Sequence, residues 1–214
     1  MSAHTRKPMI IPAASGDYSR EAIAVYKAGG VIAYPTESFY GLGVDPYNEA
    51  AVEKLFEIKG RPADKPIPLI VSDMQMVEKV ASHLSPAARG VMERYWPGPL
   101  TIIVEAKKGL PEKLTAGTNS IALRIPGSET ARRLVETIGA PLTTTSANPT
   151  NMMPATTAEM VKGYLGYTLD LIIDGGALPG KMPSTIIDLT GGEPELVREG
   201  LMPFSDLLKR PYLP

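Results

Sequence analysis

Two cations close a predicted helix in the stretch Ile58–Pro62, and their spacing is the first indication of chemistry in this chain. Lys59 and Arg61 are two positions apart, so their side chains would diverge on a continuing helix. Gly60 frees the backbone to turn, and Pro62 biases Arg61 toward an extended conformation, so both side chains can reach one concave site. Such a fork suits a polyanion. Taken alone, the pair also fits ordinary helix-end cations that the macrodipole favours.

A second group of polar side chains falls at the ends of predicted strands. These residues are Thr36, Ser120, Arg124, Ser146, Asn148, Ser184 and Arg198. In open α/β sheets, ligands bind beyond the carboxyl ends of the strands. Each residue alone has an ordinary explanation as a cap or turn former. Together with the two cations, they would supply hydroxyl and amide donors and bidentate cations, the groups that hold phosphates and a carboxylate.

Two familiar kinds of site fail on their context. The segment Gly175–Lys181 spells G-x-x-x-x-G-K after a strand, but Met182 offers no hydroxyl to magnesium and Pro183 leads into another strand instead of a helix. No serine sits in a G-x-S-x-G elbow, and His4 and His83 have no evident partners. No acid–base role is assigned to the carboxylates near strand ends, which are Glu37, Asp45, Asp174 and Asp188.

The composition is that of an ordinary soluble protein, with 43% hydrophobic and 21% charged residues among 214. Lys and Arg number 22 against 23 Asp and Glu, so no global basic field indicates nucleic-acid binding. The absence of cysteine excludes disulfides, thiolate metal sites and cysteine nucleophiles, and it fits a cytoplasmic location. Met1–Pro12 lacks the apolar run of a secretory signal, and no run approaches the roughly 18 apolar residues of a membrane helix.

Predicted helices and strands, among them a short strand over residues 142–145, interleave along the whole chain, which predicts an α/β fold. We expect a single domain over residues 1–214, with a core at about 15–209, a short N-terminal arm and a C-terminal tail from Arg210 to Pro214. Helix N-caps are predicted at Ser19, Asn48, Asp73, Ser85 and Ser128. The site is expected on a unit of strand Val31–Tyr34, loop Thr36–Gly43 and the helix that delivers Lys59 and Arg61.

Several motifs make the chain similar to the YrdC-like threonylcarbamoyl-AMP synthase family. The matching segments, in the family's order, are Tyr34–Gly43, Lys59–Pro62, Trp96–Thr101, Thr115–Gly117 with Ala122–Pro126, Thr145–Asn148, Asp174–Gly176 and Ser184–Asp188. Each segment is weak alone, but the ordered series spans most of the chain and is highly specific. The family's tetrad, K-x-R plus S-x-N, is complete here as Lys59, Arg61, Ser146 and Asn148.

The resemblance implies a nucleotidyltransferase that makes threonylcarbamoyl-AMP and pyrophosphate from L-threonine, bicarbonate and ATP, for threonylcarbamoyladenosine in tRNA. It implies a twisted open mixed sheet, flanked by helices, around a central cationic cavity. The ATP contacts would be Lys59, Arg61, Ser120, Ser146, Asn148 and Arg198. The threonine contacts would be Thr36, Arg124, Thr144 and Ser184. Mg²⁺ would be held mainly through the ATP phosphates, and the product would pass to downstream tRNA threonylcarbamoyl transferase proteins.

The implied chemistry depends on positioning and electrostatics. The threonine amine captures CO₂ or bicarbonate to form a carbamate, and a carbamate oxygen then attacks the α-phosphorus in line. Lys59 and Arg61 would act as the catalytic cations, since they stabilise charge on the phosphate oxygens and on the pyrophosphate leaving group. No protein nucleophile is needed, and the residues name no base for the amine.

Three departures from the family pattern bear on this interpretation. Ser72 stands approximately where many members carry a histidine near threonine, and Asn151 replaces the glycine of S-A-N-x-S-G. The second domain of longer members has no counterpart, which predicts a single-domain form. Two alternatives stay open: an RNA-binding or ribosome-associated factor with weak tRNA or RNA affinity, and a paralogue with a different carbamoyl-transfer activity.

Overall fold

The computed structural model describes residues 7–209 of the chain. The strands in this range are β1 (Met9–Pro12), β2 (Ile32–Pro35), β3 (Tyr40–Gly43), β4 (Leu69–Ile70), β5 (Leu100–Glu105), β6 (Ser120–Arg124), β7 (Leu142–Thr143), β8 (Thr145–Ser146), β9 (Leu171–Asp174), β10 (Thr185–Asp188) and β11 (Glu195–Arg198). The α-helices are α1 (Ser19–Lys27), α2 (Glu49–Lys59), α3 (Met74–Val80), α4 (Pro86–Tyr95), α5 (Glu112–Thr115), α6 (Glu129–Ile138), α7 (Ala158–Leu165) and α8 (Phe204–Leu208). His4, one of the two histidines, and the C-terminal tail 210–214 lie outside the described residues.

The strands form two mixed sheets. The first has the order β1-β9-β2-β3-β8, and the second has the order β11-β10-β5-β6-β4-β7. Each combines parallel pairs, such as β2 with β9 and β5 with β10, with antiparallel pairs, such as β2 with β3 and β5 with β6. Helices pack on both sheets, for example α1 on β2 and α4 on β5. The predicted α/β class with mixed pairing and flanking helices is therefore confirmed, with the strands divided between two sheets.

Side-chain caps begin most of the helices that the sequence predicts. Asn48, Asp73, Ser85 and Ser128 each accept a hydrogen bond from the backbone N–H three residues further on. These four predictions are confirmed because an N-cap is a local interaction. The prediction at Ser19 is wrong by one residue, since α1 begins there and Tyr18 occupies the cap position without a side-chain bond.

Three segments differ from the sequence-based assignment, and each pairs with at least one strand that is distant in the chain. Met9–Pro12, predicted as part of an arm, pairs in parallel with Leu171–Asp174. Tyr40–Gly43, predicted as loop, pairs with β2 on one side and β8 on the other. The single strand predicted over residues 142–145 is split at Thr144: β7 joins the second sheet and β8 joins the first. The chain therefore crosses from one sheet to the other at this residue.

The core is continuous across both sheets. Fully buried residues include Ile32 and Leu42 of the first sheet, Leu100 and Ile102 of the second, and Leu55 of α2, all in one apolar cluster. Burial of this surface is the main stabilising term that holds the two sheets in place. Within residues 7–209, no helix is long and apolar enough to cross a membrane.

Two glycine substitutions, one in β3 and a control in α7, test the close packing between β3 and β7. A Cβ on Gly43 would lie 2.5 Å from Leu142 Cγ and 2.9 Å from the Thr143 carbonyl oxygen, whereas a Cβ on Gly163 in α7 would meet nothing within 4 Å. We expect Gly43→Ala to lower the free energy of unfolding by about 1–3 kcal/mol through overpacking. Gly163→Ala, the matched control, should raise it by about 0.4–1 kcal/mol. Urea unfolding of both variants measures the difference, and equal stabilities would contradict this account of β3.

Candidate active site

A cavity of about 480 Å³ opens between the two sheets. The first sheet contributes Tyr40, Gly41, Thr145 and Ser146, and the second contributes Thr101, Arg124, Ile186 and Arg198. Seven of the residues predicted from the sequence line it. They are Thr36, Arg61, Arg124, Thr144, Ser146, Ser184 and Arg198. The crossing of the chain at Thr144 is what allows neighbouring residues of one segment to serve both walls.

The cavity wall concentrates positive charge. Arg61, Arg124 and Arg198 line it, and Glu37 is the one carboxylate among the lining residues that the structure describes. Burial lowers the pKa of Arg198, and the charges of Arg124 and Arg61 lower it further. Both effects show that these guanidinium groups are partly desolvated and repel one another. An anionic ligand in the cavity would relieve that repulsion.

Arg61 is held at the wall by the backbone that follows it. Gly60 adopts a left-handed conformation with φ of 57°, which ends α2 and confirms the predicted turn. Arg61 Nε then donates to the carbonyl oxygen of Lys65 at 3.0 Å, and Nη2 donates to that of Pro66 at 2.8 Å. No salt-bridge partner for this guanidinium exists within residues 7–209. No carboxylate of the described residues neutralises this charge, and the remaining N–H groups of the guanidinium can bind a ligand.

Lys59 takes a different position from the one the fork implies. It lies on the buried face of α2 with Leu55 and Phe56, and it is only 3% exposed. Its Nζ donates to the carbonyl oxygens of Ser146 at 2.5 Å and Asn148 at 2.7 Å. Burial, with a smaller contribution from the charge of Arg61, lowers its pKa to about 8. Lys59 is not among the lining residues; it holds the Ser146–Asn148 turn that borders the cavity.

Asn148 stabilises the same turn from inside. Its Nδ2 donates to the carbonyl oxygens of Pro149 at 2.8 Å and Met152 at 2.7 Å. The residue is 6% exposed, and its Oδ1 has no hydrogen-bond partner among the described residues. Asn148 is not among the lining residues, so in this structure its contacts are those of the loop.

Hydroxyl groups line the side of the cavity near Arg124 and Arg198. Arg198 Nη2 donates to the Ser184 carbonyl oxygen at 2.7 Å, and the hydroxyls of Ser184 and Thr101 are hydrogen-bonded at 2.8 Å. Thr36 Oγ1 donates to the Phe39 carbonyl oxygen at 2.7 Å. The hydroxyl oxygens keep their capacity to accept, so this side can bind a ligand with both charged and neutral polar groups.

The Sua5_yciO_yrdC family model, described as telomere recombination, matches residues 24–200. The chain belongs to this family. It is similar to the threonylcarbamoyl-AMP synthase of Pyrococcus abyssi, with 35% identity over 190 residues that cover 89% of this chain and 56% of the relative. The threonylcarbamoyl-AMP synthase of Thiobacillus denitrificans is 41% identical over 170 residues, which cover 79% of this chain and 90% of the relative. The chain thus spans little more than half of the first relative and most of the second.

Solved structures of the Sua5/YciO/YrdC family have the same fold. A crystal structure of Pyrococcus abyssi Sua5 complexed with L-threonine superposes with a TM-score of 0.87 at 33% identity, covering 94% of this chain and 59% of that one. The crystal structure of Escherichia coli YciO gives a TM-score of 0.79 at 30% identity, covering 90% of this chain and 95% of that one. The resemblance found in the motifs therefore extends to the backbone.

At position 151, where the family pattern has glycine, this chain has an asparagine with a glycine-like backbone conformation. Asn151 adopts φ of 70°, in the left-handed region that glycine favours and that asparagine tolerates better than most residues. The departure from S-A-N-x-S-G therefore keeps the backbone conformation that a glycine would allow. Ser72, the second departure, hydrogen-bonds Asp73 and Met76 and is not among the cavity-lining residues.

Ser120, a predicted ATP contact, lies at the opposite end of β6 from the cavity-lining Arg124. It begins β6 while Arg124 ends it, so their Cα atoms are about 13 Å apart along an extended strand. Its hydroxyl is 3.0 Å from that of Thr118, and it does not line the cavity. Its contact with ATP stays a prediction.

The site also includes two residues that the sequence analysis did not select. Thr101 is 2% exposed and lines the cavity. The sequence feature that could have identified it is a hydroxyl residue within the largely apolar strand β5. Glu37 lines the cavity and forms an ion pair with Arg124 at 3.1 Å. Nothing in the sequence distinguishes Glu37 from the other carboxylates near strand ends, because its partner is 87 positions away. Within the described range, no cluster of three His, Asp or Glu side chains could hold a metal ion.

The burial of Lys59 predicts a pH-dependent contribution to stability. Its pKa is about 8 in the folded protein against 10.5 in the unfolded chain, so between these values the unfolded state binds more protons. The stability contributed by this depressed pKa is fully present above 10.5 and is lost as the pH falls toward 8. We expect the unfolding free energy of wild type, minus that of Lys59→Met, to rise with pH across this window by at most about 1.4 kcal/mol per unit.

Chemical unfolding at several pH values, with both proteins measured in the same buffers, gives this difference. Lys79→Met in α3, whose side chain is exposed, is a matched control that should show no such slope. A flat difference for Lys59→Met would mean that the ammonium is as well solvated in the folded protein as in the unfolded one.

Proposed function

We propose that the protein is an L-threonylcarbamoyladenylate synthase, a nucleotidyltransferase that acts on L-threonine, bicarbonate and ATP. The observation that carries the proposal is the gathering of three guanidinium groups with the hydroxyls of Thr36, Ser146 and Ser184 around one cavity between the sheets. Family membership supports the same activity, as do the relatives named threonylcarbamoyl-AMP synthase.

The phosphates of ATP would bind at Arg61 and Arg198. Neither guanidinium has a carboxylate within salt-bridge distance in the described residues; Arg61 is half-buried and Arg198 is exposed, so a ligand can reach both. Charge-assisted hydrogen bonds to phosphate oxygens are roughly twice as strong as those between neutral groups. Ser146 would add a hydroxyl donor, and Lys59 would hold the Ser146–Asn148 turn in the required conformation through its two carbonyl contacts. Direct contacts of Lys59, Asn148 and Ser120 with ATP remain part of the proposal.

Threonine would bind on the side of Arg124, Thr36, Thr144 and Ser184, which all line the cavity. The carbamate formed from its amine and CO₂ would then lie next to the α-phosphorus. Attack of the carbamate oxygen forms the new P–O bond, the bond from the α-phosphorus to the bridging oxygen breaks, and pyrophosphate leaves with that electron pair. The arginines stabilise the charge that develops on the leaving group, because they are positioned before the reaction begins.

Mg²⁺ would enter with ATP. Among the described residues that line the cavity, Glu37 is the single carboxylate, and its oxygens already accept from Arg124 and from the Gly127 N–H, so this part of the chain offers few oxygen ligands. A bound Mg²⁺ would neutralise phosphate charge and orient the triphosphate, while Arg61 and Arg198 contact the remaining phosphate oxygens.

The RNA-binding alternative fits the geometry less well. Arg124 is 7% exposed and the cations face a recessed cavity, which a phosphate group at the end of a small molecule can enter more readily than a polynucleotide backbone. The net charge of minus one also offers little long-range attraction. A tRNA-modifying enzyme partner that consumes the product, and a cytoplasmic location, complete the proposal.

Pyrophosphate release tests the activity directly. We expect release that requires threonine, bicarbonate and ATP together, because the carbamate is the nucleophile and no protein side chain replaces it. Each substrate is omitted in turn, and the adenylated product is followed by mass spectrometry. Release that continues without threonine or without bicarbonate would reject the synthase assignment.

Removal of Arg61 tests the phosphate side of the cavity. We expect Arg61→Ala to lower kcat/KM for pyrophosphate release by about two orders of magnitude or more, since a positioned cation of this kind supplies about 3–4 kcal/mol to a transition state. Arg89→Ala is the matched control, because Arg89 is exposed on α4 and bonds only Glu78 at 3.1 Å. Near wild-type turnover of Arg61→Ala would contradict the placement of the phosphates.

Binding of unmodified tRNA separates the enzyme from the alternative. We expect the affinity to be lost at an ionic strength of about 0.15 M, because 22 Lys and Arg are balanced by 23 Asp and Glu, so that contacts to phosphates are weak and are screened by salt. A filter-binding titration at several salt concentrations measures it. Affinity that survives this salt in a protein without pyrophosphate release would favour the RNA-binding factor.

A further inference from the structure

The arginines of the cavity are not equivalent. Arg124 forms an ion pair with Glu37, in which Arg124 Nη1 and Glu37 Oε2 are 3.1 Å apart. The two side chains are 9% and 19% exposed, so the pair is largely shielded from water. Arg61 and Arg198 have only backbone and hydroxyl acceptors within residues 7–209. The cavity therefore has a net cationic side and a side where one positive and one negative group stand together.

The local backbone places Glu37 at this position. Its Oε1 accepts from the Gly127 N–H at 2.5 Å, which anchors the carboxylate to the segment that follows β6. A Cβ on Gly127 would lie 3.2 Å from Oε1, so a glycine permits the close approach. Arg124 ends β6, three residues before this anchor. The short segment from Arg124 to Gly127 therefore contacts both oxygens of the Glu37 carboxylate.

Both members of the pair have bonding capacity left. A carboxylate offers roughly four lone-pair directions, and Glu37 uses one on each oxygen. Within residues 7–209 the Arg124 guanidinium donates one hydrogen bond, through Nη1, and it has further N–H groups that can bind a carboxylate in bidentate fashion. Both residues line the cavity. A ligand can therefore contact the two charges at once.

We propose that the Glu37–Arg124 pair is a recognition site for the zwitterionic head of the free amino acid, in which Glu37 binds the α-ammonium group and Arg124 the α-carboxylate. The inference rests on the proposed function and makes Glu37 a specificity-determining residue. The ammonium and carboxylate groups of the amino acid would alternate in sign with the side chains of Glu37 and Arg124, so that each charged group has two neighbours of opposite charge. A triphosphate has no positive group to satisfy Glu37 and is directed instead to Arg61 and Arg198. The pair recognises the amino acid before its amine is carboxylated.

Calorimetric titration of the full chain with two ligands tests the assignment without turnover. L-Threonine carries both charges, whereas (R)-3-hydroxybutanoate keeps the carboxylate and hydroxyl but lacks the ammonium group. We expect wild type to bind threonine at least about tenfold more tightly, as one charge-assisted hydrogen bond contributes that much. Glu37→Gln should weaken the binding of threonine by about the same factor, and it should not weaken the binding of (R)-3-hydroxybutanoate or ATP, because it removes a negative charge that repels these anions.

Glu37→Asp, which keeps the charge on a shorter side chain, should recover part of the preference for threonine. Glu193→Gln, at an exposed position between β10 and β11, is the matched control and should behave as wild type. Thermal unfolding of each variant verifies that it is folded, and the two-ligand comparison on wild type alone stays decisive where a variant is not.

Two results overturn the inference while the proposed function stands. One is equal binding of the two ligands by a wild type that releases pyrophosphate with threonine. The other is an equal loss for both ligands in Glu37→Gln, which would mean that Glu37 only orients Arg124. A wild type that binds no threonine and releases no pyrophosphate would overturn the proposed function itself.

Discussion

The contact of the buried Lys59 ammonium with two carbonyl oxygens is the interaction on which the site depends. The helix α2 carries this charge inward on the same face as Leu55 and Phe56, where an uncompensated ammonium would be strongly unfavourable. The carbonyl dipoles of Ser146 and Asn148 replace the lost water. The end of α2 is thereby joined to the turn that follows β8. Lys59 of the K-x-R motif donates to the backbone of Ser146 and Asn148, the two ends of the S-x-N motif. This contact gives a physical reason for the occurrence of both motifs in one chain.

The position of that turn follows from the division of the strands. The chain passes from the second sheet to the first at Thr144, and the cavity opens at this crossing. Guanidinium groups from the turn after α2, from β6 and from β11 therefore meet in one space, although they are far apart in sequence. Their repulsion is balanced in part by Glu37 and in part by backbone carbonyls, which leaves an excess of positive charge. The fold thus maintains a positive electrostatic potential in the cavity, which favours the binding of an anionic ligand.

The sequence predicted the features that local interactions decide. Caps such as Asn48 and Ser128 need only the N–H groups of the next turn, and Gly60 is the natural residue for the left-handed end of α2. It also predicted seven residues of the cavity wall from strand ends and family motifs. It did not predict β1, whose pairing partner β9 is distant in the chain, or β3, which pairs with the neighbouring β2 on one side and with the distant β8 on the other. Gly41 and Gly43 in β3 suggest a turn, yet in the folded protein Gly43 allows Leu142 to approach closely.

By itself, then, the sequence determined the α/β class, most helix boundaries and the chemical character of the site: cations, hydroxyls and an amide without a nucleophile. The tertiary structure alone decided which of these groups face the cavity. It placed Arg61 at the wall and Lys59 beneath the turn, moved Ser120 to the far end of β6, and paired Glu37 with Arg124. The physical reason is that a side chain's type and spacing define what it can bind, whereas the packing of two sheets defines its direction and the charges that it meets.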